Sequence, residues 1–319
     1  MLIARVMVGT FLTSLAVLGL TSVSAQTYPN KPIRIVTGSP GGSTDIVARQ
    51  ISSGLSESWG QPVIVDNRDG IIPAVTVAKA LPDGYTLVMD GGSFWITPLL
   101  EKLPYDPVKD FEPVAMVGLT INIVAVHPSV AVASIADLIA LAKAKPGSIN
   151  FASAGVGGGA HLAGELFKSM SGAHIVHVPY KGSGPALNAA ISGEVQMIFT
   201  SAPPALPHVK SGKLKALAVT SAQPSALAPG IPTVAAAGLP GYLAVQYLAA
   251  FAPAKTPAVL INRLNTEITR TGQRANVKER LFNAGMEVPV GSPQEIGATI
   301  KSEMARWGKL IKDADIRLH

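Results

Sequence analysis

No cysteine occurs in the 319-residue chain, which removes thiol nucleophiles, disulfides, thiolate metal sites and any lipid-bearing cysteine together. Stability must then come from a packed core, and a composition that is 48% hydrophobic can supply one. Runs of basic residues are lacking too. The 26 Lys and Arg side chains outnumber 20 Asp and Glu, for a net charge of +6. They are dispersed, without interleaved aromatics, so nucleic acid is not expected as a partner. The modest positive balance suits anionic small molecules. No Gly-x-Ser-x-Gly elbow is present, and spacing suggests no Ser, His and Asp set, which argues against a hydrolase. His174 and His177 have no third ligand at metal spacing and read as strand and edge residues. No catalytic residue, metal or cofactor is expected.

What is present begins with residues 1–25. Arg5 is the only charge, Val6 to Leu20 is apolar apart from Thr10, Thr13 and Ser14, and Val23 and Ala25 are small residues at the spacing a signal peptidase accepts. A cleaved secretory signal peptide is expected, with the mature chain starting near Gln26. The run is shorter than the ~20 apolar residues of a membrane span. No later segment approaches that length, so a soluble exported protein is expected, and residues 26–319 are more than one core usually organises.

Short β-rich runs alternate with Ala- and Leu-rich stretches, the pattern of a parallel sheet with crossover helices. Strands are expected at Ile33–Thr37, Val63–Val65 and Thr86–Met89, with helices at Thr44–Trp59 and Pro73–Ala80. Ala115–Val126 reads as one long strand or a pair, and Ser134 caps a helix running to Lys145. A second series follows. Its strands are Ile149–Ala152, Ile175–Val178, Val195–Phe199 and Ala216–Val219, and its helices are Leu162–Ser169 and Pro185–Ile191. The Ala-, Pro- and Gly-rich stretch Ser221–Gly241 reads as a loop. After a candidate strand at Ala244–Ala252, helices at Pro257–Thr271, Ala275–Ala284 and Pro293–Asp313 have no strands of their own and are expected to return to the first lobe.

Three glycine-rich turns each follow a strand and open a helix, where orphan N–H groups and the positive end of the helix dipole face outward. They are Gly38-Ser39-Pro40-Gly41-Gly42-Ser43-Thr44-Asp45, Ser153-Ala154-Gly155-Val156-Gly157-Gly158-Gly159-Ala160-His161 and Tyr180-Lys181-Gly182-Ser183-Gly184-Pro185. Each has a plainer reading as a connection. For His161 that reading is a structural hydrogen bond, for Lys181 a solvated charge, and for Asp45 a favourable charge at the helix start.

The motifs Tyr28-Pro29-x-Lys31-Pro32-Ile33, Pro40 to Arg49, Trp59-Gly60-Gln61-Pro62-Val63, Asn67-Arg68, Pro82 to Leu87, Leu103 to Phe111, His177 to Gly182, Ser211 to Leu214 and Gly238 to Tyr242 span nearly all of the mature chain. Together they resemble the Bug receptors, periplasmic solute-binding subunits of tripartite tricarboxylate transporters. The resemblance implies a two-lobed α/β periplasmic binding protein of type II, a Venus flytrap whose lobes are each a mixed, mostly parallel sheet flanked by helices. Lobe one would comprise 26–125 with 246–319, and lobe two 126–245. It also implies no catalysis, a monomer in the periplasm serving two integral-membrane subunits, and a small carboxylate or related organic solute held by backbone amides and ordered water at Pro40–Asp45.

The candidate ligand-binding set is Ser39, Pro40, Gly41, Gly42, Ser43 and Asp45 in the first loop, Ser93 and Phe94 after the third strand, Ser153, Gly157, Gly159 and His161 in the second loop, then Tyr180, Lys181 and Thr200. His127 and His208 lie outside the glycine loops and should be replaceable. Departures from the family pattern fall at Asp69-Gly70-Ile71-Ile72, Thr200-Ser201, Gly159 and Asp90 to Trp95. Asp69, Phe94, Trp95 and Thr200 would favour an aromatic or monocarboxylate ligand over citrate. The other readings are a ligand-sensing partner of a membrane histidine kinase and an exported hydrolase.

Overall fold

The computed structural model describes residues 28–317, and the expected signal peptide lies outside the described residues. Two five-stranded sheets form the frame. The chain opens with β1 (Ile33–Thr37), α1 (Ser43–Trp59), β2 (Val63–Asn67), α2 (Ile72–Ala78) and β3 (Thr86–Gly91). In β1 only Arg34 escapes full burial. A strand covered on both faces is what a parallel sheet between helix layers requires. β1 runs parallel to both neighbours, with Ile33 opposite Val63 and Ile35 opposite Leu87.

A short α3 (Ser93–Ile96) precedes β4 (Phe111–Thr120) and β5 (Asn122–Val126). Only Ile121 separates these strands, yet they belong to different sheets. The crossing is thus at Ile121, and a boundary at residue 125 falls inside β5. Apart from the buried Asn122, apolar residues run from Val114 to Val117 and again from Ile121 to Val126, so composition does not mark where the chain changes sheets.

The second sheet is built from β5, β6 (Ile149–Ser153), β7 (Ile175–Pro179), β8 (Met197–Ser201) and β9 (Lys215–Val219). Their order is β7-β6-β8-β5-β9, with β6 parallel to β7 and β8 and β5 antiparallel to β8 and β9. Helices α4 (Ile135–Ala144), α5 (Gly159–Ser171), α6 (Ser183–Ser192) and α7 (Ala202–Lys210) accompany it. The chain then returns, and β10 (Gln246–Pro253) inserts antiparallel between β3 and β4, giving the order β2-β1-β3-β10-β4. Both sheets follow one plan. Three parallel strands meet an antiparallel strand, β10 or β5, that directly adjoins a crossing between the sheets.

The remaining helices, α8 (Ala258–Gly272), α9 (Ala275–Asn283) and α10 (Pro293–Asp313), rejoin the first lobe, where α8 and α10 pack on β4 and both α8 and α9 on α1. A capping box opens α10: Ser292 Oγ accepts from the Glu295 N–H at 3.3 Å, and the Glu295 carboxylate accepts from the Ser292 N–H at 2.8 Å. In the second lobe, a Cβ on Gly164 of α5 would sit 2.2 Å from the Phe151 ring of β6. The missing side chain lets the helix approach the sheet, and this fixes where the glycine loop before α5 points. No helix among the described residues is long and apolar enough to cross a membrane.

Candidate ligand-binding site

The first glycine loop is folded from within by Asp45. Gly41 adopts φ +79, a left-handed conformation open to glycine at little cost, and its N–H donates to Asp45 Oδ2 at 2.9 Å. Arg49 Nε donates to the same oxygen at 3.0 Å, and Asn67 Nδ2 to Oδ1 at 2.8 Å. Burial alone would raise the Asp45 pKa, but the hydrogen bonds from Arg49, Gly41 and Asn67 outweigh it and hold the carboxyl below its ordinary value. Asp45 is therefore spent on the loop, and it does not line the cleft cavity. Gly42 caps α1 with no side-chain hydrogen bond to the first turn, which leaves orphan N–H groups of the kind that bind anions.

The second loop is built the same way with a different anchor. Gly157 N–H donates to His161 Nδ1 at 3.0 Å, and the His161 ring stacks on His177 with centroids 4.0 Å apart. His177 Nε2 lies 2.6 Å from Ser153 Oγ, which also contacts both Gly155 N and Gly155 O. Gly158, like Gly42, caps its helix without a side chain. His161 thus takes the structural role, and buried Ser153 sits beneath the loop.

Burial lowers the pKa of His161, and burial together with the neighbouring His161 and Lys168 pushes His177 down to about 4. The folded state then binds fewer protons than the unfolded chain between about pH 6.5 and 4, so stability falls as pH drops through that window. Urea unfolding at pH 7 and pH 4.5 should show this loss, and His177→Gln should remove roughly 1 kcal/mol of it. An unchanged pH slope in the variant would contradict the assignment.

Between the sheets lies a cavity of about 380 Å³. Ser43 and Thr44 at the start of α1 line it from one lobe, and Gly157, Gly158 and Gly159 at the start of α5 from the other. Asp90, Ser93, Trp95, Gln246, Tyr247, Glu303 and Trp307 complete much of the wall. A second cavity of about 250 Å³ shares Ser43, Thr120, Gly158, Gly159 and Gln246 and adds Asn122, Thr200 and Ser201. A larger groove of about 570 Å³, lined by residues such as Phe111, Ile261 and Ile300, belongs to the first lobe alone. It touches neither glycine loop, and closure of one lobe on the other would leave it unchanged.

Of the expected residues, Ser43, Ser93, Gly157, Gly159 and Thr200 line these two cavities, while Ser39, Pro40, Gly41 and Gly42 lie exposed outside them. Phe94 is a correction. It is 1% exposed and packs in a core cluster, its ring 4.6 Å from Phe251 and 4.8 Å from Phe111. The neighbouring Trp95 lines the cavity instead. Tyr180 donates its hydroxyl to Glu194 at 2.7 Å, Lys181 is exposed, and neither lines a cavity. Asp69 is also exposed and accepts a 2.5 Å hydrogen bond from Ser39 Oγ.

The residues that sequence reasoning passed over are Asp90, Thr120, Asn122, Gln246, Tyr247, Glu303 and Trp307. Asp90 stood inside a noted departure, but the others carry no local motif. Asp90 accepts from the Gly91 N–H at 2.7 Å, and burial pushes its pKa up to about 6.

The family description "Tripartite tricarboxylate transporter family receptor" matches residues 47–316. The protein BugT of Bordetella pertussis is 37% identical over 303 residues, 93% of each chain. Among solved structures, R. palustris Rpa4515 with adipate is 35% identical with a TM-score of 0.75, covering 91% of this chain and 99% of that one. MatC from Rhodopseudomonas palustris with bound malate is 29% identical with a TM-score of 0.71, covering 89% and 100%. With a family match over residues 47–316 and likenesses that cover about nine-tenths of the chain in sequence and fold, the chain belongs to the tripartite tricarboxylate transporter family of receptors, the Bug receptors.

Proposed function

We propose that the protein captures a small carboxylate between its two lobes in the periplasm and delivers it, as a monomer, to the two membrane subunits of a tripartite transporter. One observation carries this reading: the uncapped N-termini of α1 and α5, one from each lobe, line a single cavity. Two such termini offer orphan N–H donors and partial positive charge to one anion, and a ligand that satisfies both draws the lobes together. The adipate and malate held by the two relatives are both carboxylates of this size class.

Binding without turnover fits the same geometry. Ser153 and His177 come within hydrogen-bond distance, but Ser153 is 1% exposed, already contacts the Gly155 backbone and lines neither cavity. It has no access to a bound substrate.

Because the chain has no cysteine, introduced cysteines at exposed Ile71 and Lys181 give unambiguous spin-label positions, one in each lobe. The distance between the labels should shorten when a small carboxylate that binds by calorimetry is added. An unchanged distance with such a ligand would overturn the closure. Thr200→Asp, which adds a negative charge to the second cavity, should weaken binding of any diacid.

A further inference from the structure

Two acidic side chains line the cleft cavity, and their surroundings differ sharply. Glu303 is compensated: Arg306 Nη2 lies 2.6 Å from one carboxylate oxygen, and Trp307 Nε1 donates to the other at 2.8 Å. Among the described residues Asp90 accepts only the Gly91 N–H, and no Lys, Arg or His lies within ion-pair distance of it. It stands at the end of β3, on the wall of the same cavity as Trp95, whose buried Nε1 has no hydrogen-bond partner among the described residues. A half-buried carboxylate facing a cavity with one hydrogen bond and no counter-charge is costly. Such a group persists where something else supplies the missing partner.

The remainder of the cavity has the opposite polarity. The starts of α1 and α5 line it, with Ser43, Thr44 and the second glycine loop facing the space. The site is thus dipolar, with helix N-termini that attract an anion and an uncompensated carboxylate that attracts a cation. Asp69 does not play this part, because it is exposed and hydrogen-bonded to Ser39.

We propose that the preferred ligand is an amino-carboxylate, its carboxylate on the helix N-termini and its ammonium group on Asp90. This assignment rests on the chain acting as a carboxylate receptor. It narrows the class, since a diacid would place a second negative charge against Asp90 and be rejected by like-charge repulsion.

Two matched pairs of probes isolate the terminal group: adipate against 6-aminohexanoate, and succinate against 4-aminobutanoate. Calorimetry at pH 7.5 should show at least tenfold tighter binding of the amino member in one or both pairs. Asp90→Asn should abolish that preference while thermal unfolding shows the variant folded. Equal or tighter binding of the diacid in both pairs, or a preference that survives Asp90→Asn, would overturn the role of Asp90 and leave the receptor intact. Absence of binding by all four probes would overturn both.

Discussion

Replacement of Gly159 by leucine is expected to lower affinity for any carboxylate the protein binds at least hundredfold, with the fold intact. Gly159 is the first residue of α5 and lines both cleft cavities. A Cβ there would sit 2.5 Å from Gln246 Cδ and 2.6 Å from its Nε2. The obstacle is the end of a flexible side chain, and Gly159 is not among the positive-φ glycines, so leucine introduces no backbone strain. Gln246 can swing away, but the new isobutyl group then occupies the space in front of the α5 N-terminus. Excluding the anion from those N–H groups at hundredfold corresponds to about 2.7 kcal/mol. Calorimetry with circular dichroism checks both halves of the expectation. An unaltered affinity in a folded variant would place the ligand elsewhere.

Asp90→Asn is expected to stabilise the unliganded protein at neutral pH, an effect opposite in sign to its cost in binding. In the folded state burial raises the carboxyl pKa from 3.8 to about 6. A raised acid pKa means that the stability this group contributes is fully present below about pH 4 and is lost as pH rises through 6. A rise of that size makes the ionised carboxylate about 3 kcal/mol less favourable in the folded protein than in the unfolded chain. Relaxation of a group that borders a cavity reduces this, so about 2 kcal/mol is expected at pH 7.5, or a rise in Tm of about 3 °C. At pH 3.5, where the native Asp90 is already protonated, the variant and the parent should unfold alike. Urea midpoints at the two pH values measure this, and a variant neutral or destabilised at pH 7.5 refutes it. A residue whose removal strengthens the fold and weakens the ligand marks stability given up for function.

The parallel core of each lobe is legible in the sequence, because β1 and β6 are short, mostly apolar segments followed by glycine turns, and α1 begins within one residue of its expected start. α7 has no counterpart among the expected helices: Pro203, Pro204 and Pro207 interrupt any helical pattern in the sequence, yet the first two stand in its first turn, where a missing N–H costs nothing. Phe94 departs from its expected place for a different reason. Its motif departs from the family pattern, yet a four-residue helix has too little periodicity to say which face meets the core. Asp45 and Arg49 stand four apart on α1, a spacing that suits an ion pair, but the Asn67 contact that completes the clamp needs β2 alongside β1. The wall formed by Gln246, Tyr247, Glu303 and Trp307 was beyond reach, since it meets Asp90 only after the chain has crossed to the second sheet and back.

The insertion of β10 between β3 and β4 also sets a schedule for assembly. As the chain is synthesised, β1 to β4 are complete by Thr120, yet β3 and β4 have no shared neighbour until Gln246 to Pro253 arrives. The second sheet, contained in residues 122–219, has all its strands well before that. The later-numbered lobe is therefore the first able to close, and the earlier one waits with an unfilled slot at its centre. Native pairing in that slot spans more than 100 residues, a separation that slows folding. A chain stopped short of Gln246 would carry one finished half and one half with two strand edges open to each other or to a stranger.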